Sequence, residues 1–315
     1  MPLPSDKRVV ALSDKIVKTL DKVFGGEHPG HRAAHARGVL LSGSFAPTPA
    51  AAQLSTVPHF NTPSTVVTAR FSSSTGLPKI PDTDPNAEPR GFAVRFELAP
   101  HKHTDIVAHS TNAFPTRTAD EFLEFFEAVI SAQAGGPPVS DFVSARPSVV
   151  KFVTTPKPTP ASFGTEAYFA LSAFKFTNAS GVSRYGRYTW QPVAGLAHLT
   201  PEERDARGES FLFEEIEERV SKGPVKFELS LQLANEGDAT DDVTLHWPED
   251  RERVVLGTLS LDKIVPENAK EQKHIIFDPI PRIDGIEPSA DPLFEVRAAV
   301  YLISGRRRRA APLAE

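Results

Sequence analysis

Val9, Leu12, Ile16, Leu20 and Val23 recur every three or four residues between Ser5 and Phe24, which places them on one face of a helix. Ser5 is a candidate N-cap and Gly25-Gly26 a stop signal, so an opening helix is expected within residues 1–26. From Gly38 to Phe96 the pattern shortens to β-prone runs, Ser64–Phe71 and Gly91–Phe96 among them, separated by proline-rich turns. Thr118-Ala-Asp-Glu121 has the form of a capping box and leads into Phe122, Leu123, Phe125, Phe126, Val129 and Ile130. That helix should end at Gly135-Gly136. Residues 140–162, rich in Pro, Ser and Thr, are expected to wrap the surface with only short helical turns.

Farther along, residues 167–177 and 184–190 read as strands joined by the hairpin connection Asn178-Ala-Ser-Gly181. Thr200-Pro-Glu-Glu203 is a second capping box, and residues 211–220 continue in helical register. In the run Val225–Leu233 the apolar Val225, Phe227, Leu229, Leu231 and Leu233 alternate with polar residues, the mark of a strand with one face buried. Residues 254–261 form a further strand, 266–288 a loop-like stretch, and 293–303 a helix. Arg306–Arg309 then opens a basic, flexible tail over residues 306–315. With no internal repeat, the pattern predicts one α+β domain over residues 1–315, an antiparallel β-barrel core with surrounding helices.

Composition narrows the chemistry. At 315 residues and 40% hydrophobic content the chain can bury a sizeable core, and a net charge of −5 gives no overall attraction to nucleic acid or anionic membrane. The absence of cysteine excludes disulfides, thiolate catalysis, iron–sulfur clusters and thiolate-bound metals. Charged residues such as Asp6, Lys7, Arg8, Asp14 and Lys15 break up the N-terminal segment, no window reaches membrane-span length, and a cytoplasmic location is expected. His101 and His103 are close in sequence but lack a carboxylate–histidine pattern, and no glycine-rich phosphate loop is present.

The segments that carry chemistry lie at the two ends and between them. His31-Arg32-Ala33-Ala34-His35-Ala36-Arg37-Gly38 is followed by Ala69-Arg70-Phe71-Ser72 and Pro89-Arg90-Gly91-Phe92-Ala93-Val94-Arg95-Phe96. Then come Asp105-Ile106-Val107, Thr244–Pro248, Phe277-Asp278-Pro279, Gly285–Ser289 and Arg297–Tyr301. This ordered set resembles the haem catalase family over residues 28–308. The resemblance implies ferric haem b, with Tyr301 as the axial iron ligand and His35 as the acid–base catalyst on the opposite side. Histidine suits that task because its ordinary pKa, roughly 6.5, lets it take a proton from one peroxide oxygen and return it to the other near neutrality. Ser72 matches a serine that fixes the histidine ring. Arg297, four residues before Tyr301 and on the same helical face, is placed to favour the phenolate. Arg32, Arg70 and Arg308 match cations for the haem propionates, and Phe114 and Phe122 match aromatics lining the haem pocket. A single methionine and no cysteine suit a protein exposed to peroxide.

The resemblance has departures. In Ala108–Pro115 the family's distal asparagine falls on His109 by gapless matching and on Asn112 with a short gap. Asn112 is the preferred candidate, because an amide donates to peroxide without competing for its proton. Around Tyr301, Ala299, Leu302 and Ile303 replace an aromatic and an acidic residue of the family. The sequence also ends soon after Tyr301, which resembles the small catalase-related peroxidases that lack the C-terminal helical domain. A shorter, wider access route would favour peroxidase chemistry on peroxide and a small organic electron donor, with weak catalase activity and a homodimer among the allowed assemblies. An efficient catalase, an allene oxide synthase-like enzyme that rearranges hydroperoxides, and a haem-binding sensor remain as alternatives.

Overall fold

The computed structural model describes residues 2–312. In chain order it contains α1 (Lys7–Val23), β1 (Gly38–Pro47), α2 (Pro49–Leu54), α3 (Pro58–Asn61), β2 (Thr65–Ser72), β3 (Gly91–Ala99), β4 (Lys102–His109) and α4 (Ala119–Gln133). There follow α5 (Val139–Ser144), α6 (Pro147–Thr154), β5 (Tyr168–Thr177), β6 (Ser183–Pro192), α7 (Pro201–Asp205), α8 (Phe211–Lys222) and β7 (Val225–Leu233). The chain then forms β8 (Arg253–Ile264), α9 (Asn268–His274), β9 (Ile286–Pro288) and α10 (Leu293–Ala310).

The strands run antiparallel in the order β4-β3-β2-β1-β8-β7-β6-β5, with β9 added on β5, and the β4–β5 pairing of His109 with Phe169 closes an eight-stranded barrel. Closure leaves these strands without a long free edge. Inward-pointing residues fill the barrel with aromatic rings: Phe71 stacks on Phe92 at 4.6 Å and on Phe163 at 5.2 Å, and Trp190 and Phe227 are fully buried. A second apolar cluster, including Ile16, Leu20, Leu123 and Val296, lies outside the barrel where α1 meets α4 and α10.

Both capping boxes form: Thr118 and Thr200 each accept from the backbone N–H three residues on, while Glu121 and Glu203 reach back to the cap. Three expectations need correction. Asp6, not Ser5, caps α1, accepting from the Arg8 N–H at 2.7 Å. Residues 266–288 are not simply a loop, since they contain α9 and β9. The sequence Asn268–His274 carries no apolar stripe to announce a helix, and tertiary contacts hold it: Asn268 exchanges hydrogen bonds with the Leu40 backbone, and Gln272 donates to the Gly38 carbonyl. Lastly, Arg306–Arg309 do not form a flexible tail but continue α10. Arg307 pairs with Asp21, Arg308 is buried, and Arg308 and Arg309 donate to main-chain carbonyls at the end of α9. Residues 313–315 of that segment lie outside the described residues.

Candidate active site

The outer surface of β2, β3 and β4 faces α1 and α10 and carries two registered rows of side chains. Ser72 pairs with Gly91, and Gly91 with His109; two residues along, Arg70 pairs with Ala93, and Ala93 with Val107. Because the strand period is two, these residues point away from the aromatic core, into the space between barrel and helices. Arg90 fixes the base of the first row. Fully buried, it donates to Glu88 at 2.8 Å, to Ser73 Oγ at 3.0 Å and to the Asp82 carbonyl at 2.7 Å, and its backbone exchanges hydrogen bonds with Ser110.

His35 stands against the middle of that row. Its φ of 56° is uncommon for a residue with a side chain, and hydrogen bonds from the backbone N–H groups of His35 and Ala36 to the carbonyls of Ser74 and Thr75 hold the segment in place. The ring's Nδ1 lies 3.0 Å from Ser72 Oγ. A Cβ at Gly91 would come within 2.6 Å of that nitrogen and 2.5 Å of the serine oxygen, so only glycine leaves room for the pair. Burial first, and then the charges of Arg70 and Arg32, lower the His35 pKa to about 4, outweighing a contact with the Ser73 backbone. The imidazole is therefore neutral near pH 7, with Nε2 free to exchange a proton.

Across the space, α10 presents Tyr301. Arg297, one turn earlier, has its guanidinium carbon 6.0 Å from the tyrosine ring centroid and donates to Ser172 Oγ at 3.1 Å. Burial acts against the Arg297 charge, but the adjoining Tyr301 hydroxyl and Asp291 raise its pKa overall. It remains a cation beside the phenol oxygen.

His35 and Tyr301, with Leu20, Ala34, Val107 and Val300, line both of two adjoining cavity lobes, of which the one that also holds Phe114 and Phe122 is the larger. The smaller lobe is basic at its end. Arg32 donates to the Ile275 carbonyl, Arg70 to Gln272 and the Ala36 carbonyl, and Arg308 to the carbonyls of Lys273 and Ile275. None of the three has a carboxylate partner among the described residues. Burial and mutual repulsion lower the pKa of all three, Arg70 to about 9 and Arg308, beside Arg309, to about 10. Three cations without a carboxylate partner among the described residues leave this end positively charged. The larger lobe is apolar, with Phe114 stacked on Phe122 at 5.8 Å, and it also contains His109 and Arg297.

The fold thus gathers His35, Ser72, Arg32, Arg70, Arg308, Phe114, Phe122, Arg297 and Tyr301 around one space. Asn112 is not among them. It lies beyond the end of β4 and lines a separate cavity with Arg187, His246 and Trp247, while His109 occupies the strand position facing His35's wall. The chemistry of an amide favours Asn112 in the sequence, whereas the strand register sets His109 in the row with Ser72 and Gly91. Gly91, although inside a motif read for its resemblance, holds a steric role that only the packed ring reveals. Nothing in the sequence signals that Gln272 and Ser172 hold Arg70 and Arg297.

A closed antiparallel barrel flanked by helices, with a tyrosine and a histidine sharing one enclosed space, defines the class of protein. The fold is similar to that of a fungal catalase, with a TM-score of 0.78 and 24% identity over 90% of this chain and 60% of that one. It is also similar to catalase A from Saccharomyces cerevisiae, with a TM-score of 0.75 and 22% identity over 90% and 62% of the two chains. The catalase family model matches residues 5–313, and the chain belongs to the catalase family. Among its curated relatives is a catalase-related peroxidase of Synechococcus elongatus, 33% identical over 94% of this chain and 88% of the relative. Another is a catalase-related peroxidase of Mycolicibacterium paratuberculosis, 31% identical over 90% and 91% of the two chains.

Proposed function

We propose that the protein is a haem-dependent peroxidase that reduces hydrogen peroxide or organic hydroperoxides with small organic electron donors and has weak catalase activity. The observation that carries this reading is the placement of His35 and Tyr301 across the space where two lobes meet, one ending in Arg32, Arg70 and Arg308, which have no carboxylate partner among the described residues, and the other lined by Phe114 and Phe122. That arrangement fits a planar amphipathic group with two carboxylates, and ferric haem b is such a group. Arg32, Arg70 and Arg308 would hold the propionates, Phe114 and Phe122 would pack against the apolar part, and Tyr301 would bind the iron. Bound haem iron supplies the electrons that break the O–O bond.

The remaining steps belong to the chain's own side chains. His35, neutral at the working pH, accepts the proton of one peroxide oxygen on Nε2 and returns it to the other, so that water or an alcohol leaves. Ser72 keeps Nδ1 occupied and the ring in place. Arg297 keeps positive charge beside the Tyr301 oxygen, where it would hydrogen-bond the iron ligand. Two donor molecules, each giving one electron, restore the enzyme. The same reading carries a cytoplasmic location, in keeping with the charge-interrupted α1, and a homodimer remains an allowed assembly; no described helix is long and apolar enough to cross a membrane.

Purified, haem-supplemented protein tests the reading. A high-spin ferric absorption band that changes in Tyr301→Phe, with donor oxidation outpacing oxygen release, is the expected result. Failure to take up haem would overturn it, as would oxygen release without donor oxidation. Product analysis with a lipid hydroperoxide separates reduction to the alcohol from rearrangement.

A further inference from the structure

Two histidines share one wall of the cavity, and what holds each ring differs. His35 Nδ1 meets a serine hydroxyl, which can either donate or accept, so the ring keeps its partner whether or not Nδ1 carries hydrogen. His109 Nδ1 instead accepts from the backbone N–H of Thr111 at 3.3 Å. A backbone N–H can only donate, so Nδ1 must present its lone pair, and the hydrogen of the neutral ring is on Nε2, the edge turned away from the main chain. Protonating Nδ1 would set two hydrogens against each other. Burial first, and then the charges of His35, Arg297 and Lys157, also oppose protonation and outweigh the Thr111 backbone contact, so that the pKa falls to about 3. The register completes the placement: His109 pairs with Gly91, against which the His35 ring rests, and lines the larger lobe with His35 and Tyr301.

We propose that His109 is the second polar group of the distal wall, a fixed hydrogen-bond donor through Nε2–H to the peroxide that His35 deprotonates. This inference rests on the peroxidase reading above. It resolves the difficulty of a second histidine beside the first. A freely titrating imidazole would compete for the peroxide proton, whereas His109 has one nitrogen occupied by the main chain and the other already protonated. The two rings divide the work, His35 moving a proton and His109 only donating a hydrogen bond, as an amide would.

Nitrogen NMR on the full chain labelled at histidine, with haem and without it, should show His109 protonated at Nε2 alone and unchanged between about pH 5 and pH 8. In the haem-loaded protein, cyanide affinity read from the absorption shift should weaken about 10-fold in His109→Leu and stay within about 3-fold of the parent in His109→Asn. A His109 ring carrying hydrogen on Nδ1, or titrating in that pH range, overturns the proposal. So does an equal loss in the Asn and Leu variants, or no loss in Leu. If Leu does not fold, the tautomer measured in the parent decides. Absence of haem uptake, or unchanged peroxide reactivity in His35→Ala, defeats the peroxidase reading instead, while the NMR result still stands or falls by itself.

Discussion

The two lobes of the cavity differ in the side chains gathered at their ends. One ends in Arg32, Arg70 and Arg308, cations held by carbonyls and an amide and without carboxylate partners among the described residues. The other is walled by Phe114, Phe122, Val243 and Val296 and gains its order from aromatic stacking. The basic lobe is a strained assembly, because buried like charges repel until an anion arrives. The apolar lobe is satisfied as it stands. Ligand binding should therefore be controlled at the basic end, while substrate choice and packing are controlled at the apolar end, with His35 at their junction serving both.

The largest way to break this comparison is at the junction. His35→Ala should lower the rate of reaction with peroxide by about 10³-fold, within the range of general acid–base catalysis, while haem stays bound. Stopped-flow mixing with peroxide reads this, and loss of haem instead would assign His35 to binding. At the basic end, Arg70→Met should weaken haem retention roughly 10- to 30-fold, about 1.5–2 kcal/mol for a charge-assisted hydrogen bond, with the rate per bound haem nearly unchanged. Titration with haem measures the first, and an undiminished affinity would deny the basic lobe its role.

Gly91→Ala should lower peroxide reactivity about 10-fold without loss of haem, since the added methyl displaces the His35 ring and Ser72 from one another; equal activity would show that the ring yields freely. Phe122→Ala, half-buried in the apolar lobe, should cost about 1–2 kcal/mol of stability and raise KM for bulky hydroperoxides more than for hydrogen peroxide. Chemical denaturation and paired kinetics measure these effects, and an equal rise for both substrates would contradict a selective apolar lobe.

The smallest effect is on pH. With the His35 pKa lowered to about 4 against an ordinary 6.5, the neutral base persists into mild acid. Peroxide reactivity should be flat from pH 8 to about pH 5 and fall below that; a midpoint near 6.5 would contradict the burial that lowers the His35 pKa. The sign for stability is the same. Between 6.5 and 4 the unfolded chain binds the proton more readily, so the stabilisation from this neutral histidine is present above 6.5 and lost as pH falls.

Much of this was legible in the sequence. The amphipathic stripe of α1, the two capping boxes and the strict alternation in Val225–Leu233 are local, and local steric and hydrogen-bonding preferences determine such elements. The order of motifs likewise pointed to His35, Ser72 and Tyr301. Other features depend on contacts between distant residues. Helix α9 lacks an apolar stripe and exists through Asn268 and Gln272 bonding to β1. Arg308 reads as a tail charge until the end of α9 encloses it.

The distal pair shows the division most clearly. Residues 108–115 contain both His109 and Asn112, and composition offers no means of choosing between them. Strand register separates the two, because a shift of three residues carries a side chain out of the row defined by Ser72 and Gly91 and past the end of β4. By itself the sequence determined the elements and the kinds of group available to the site. Only the tertiary structure decided which groups share one wall, which nitrogen of each histidine is held, and which charges are left without partners, since each depends on atoms brought together by barrel closure.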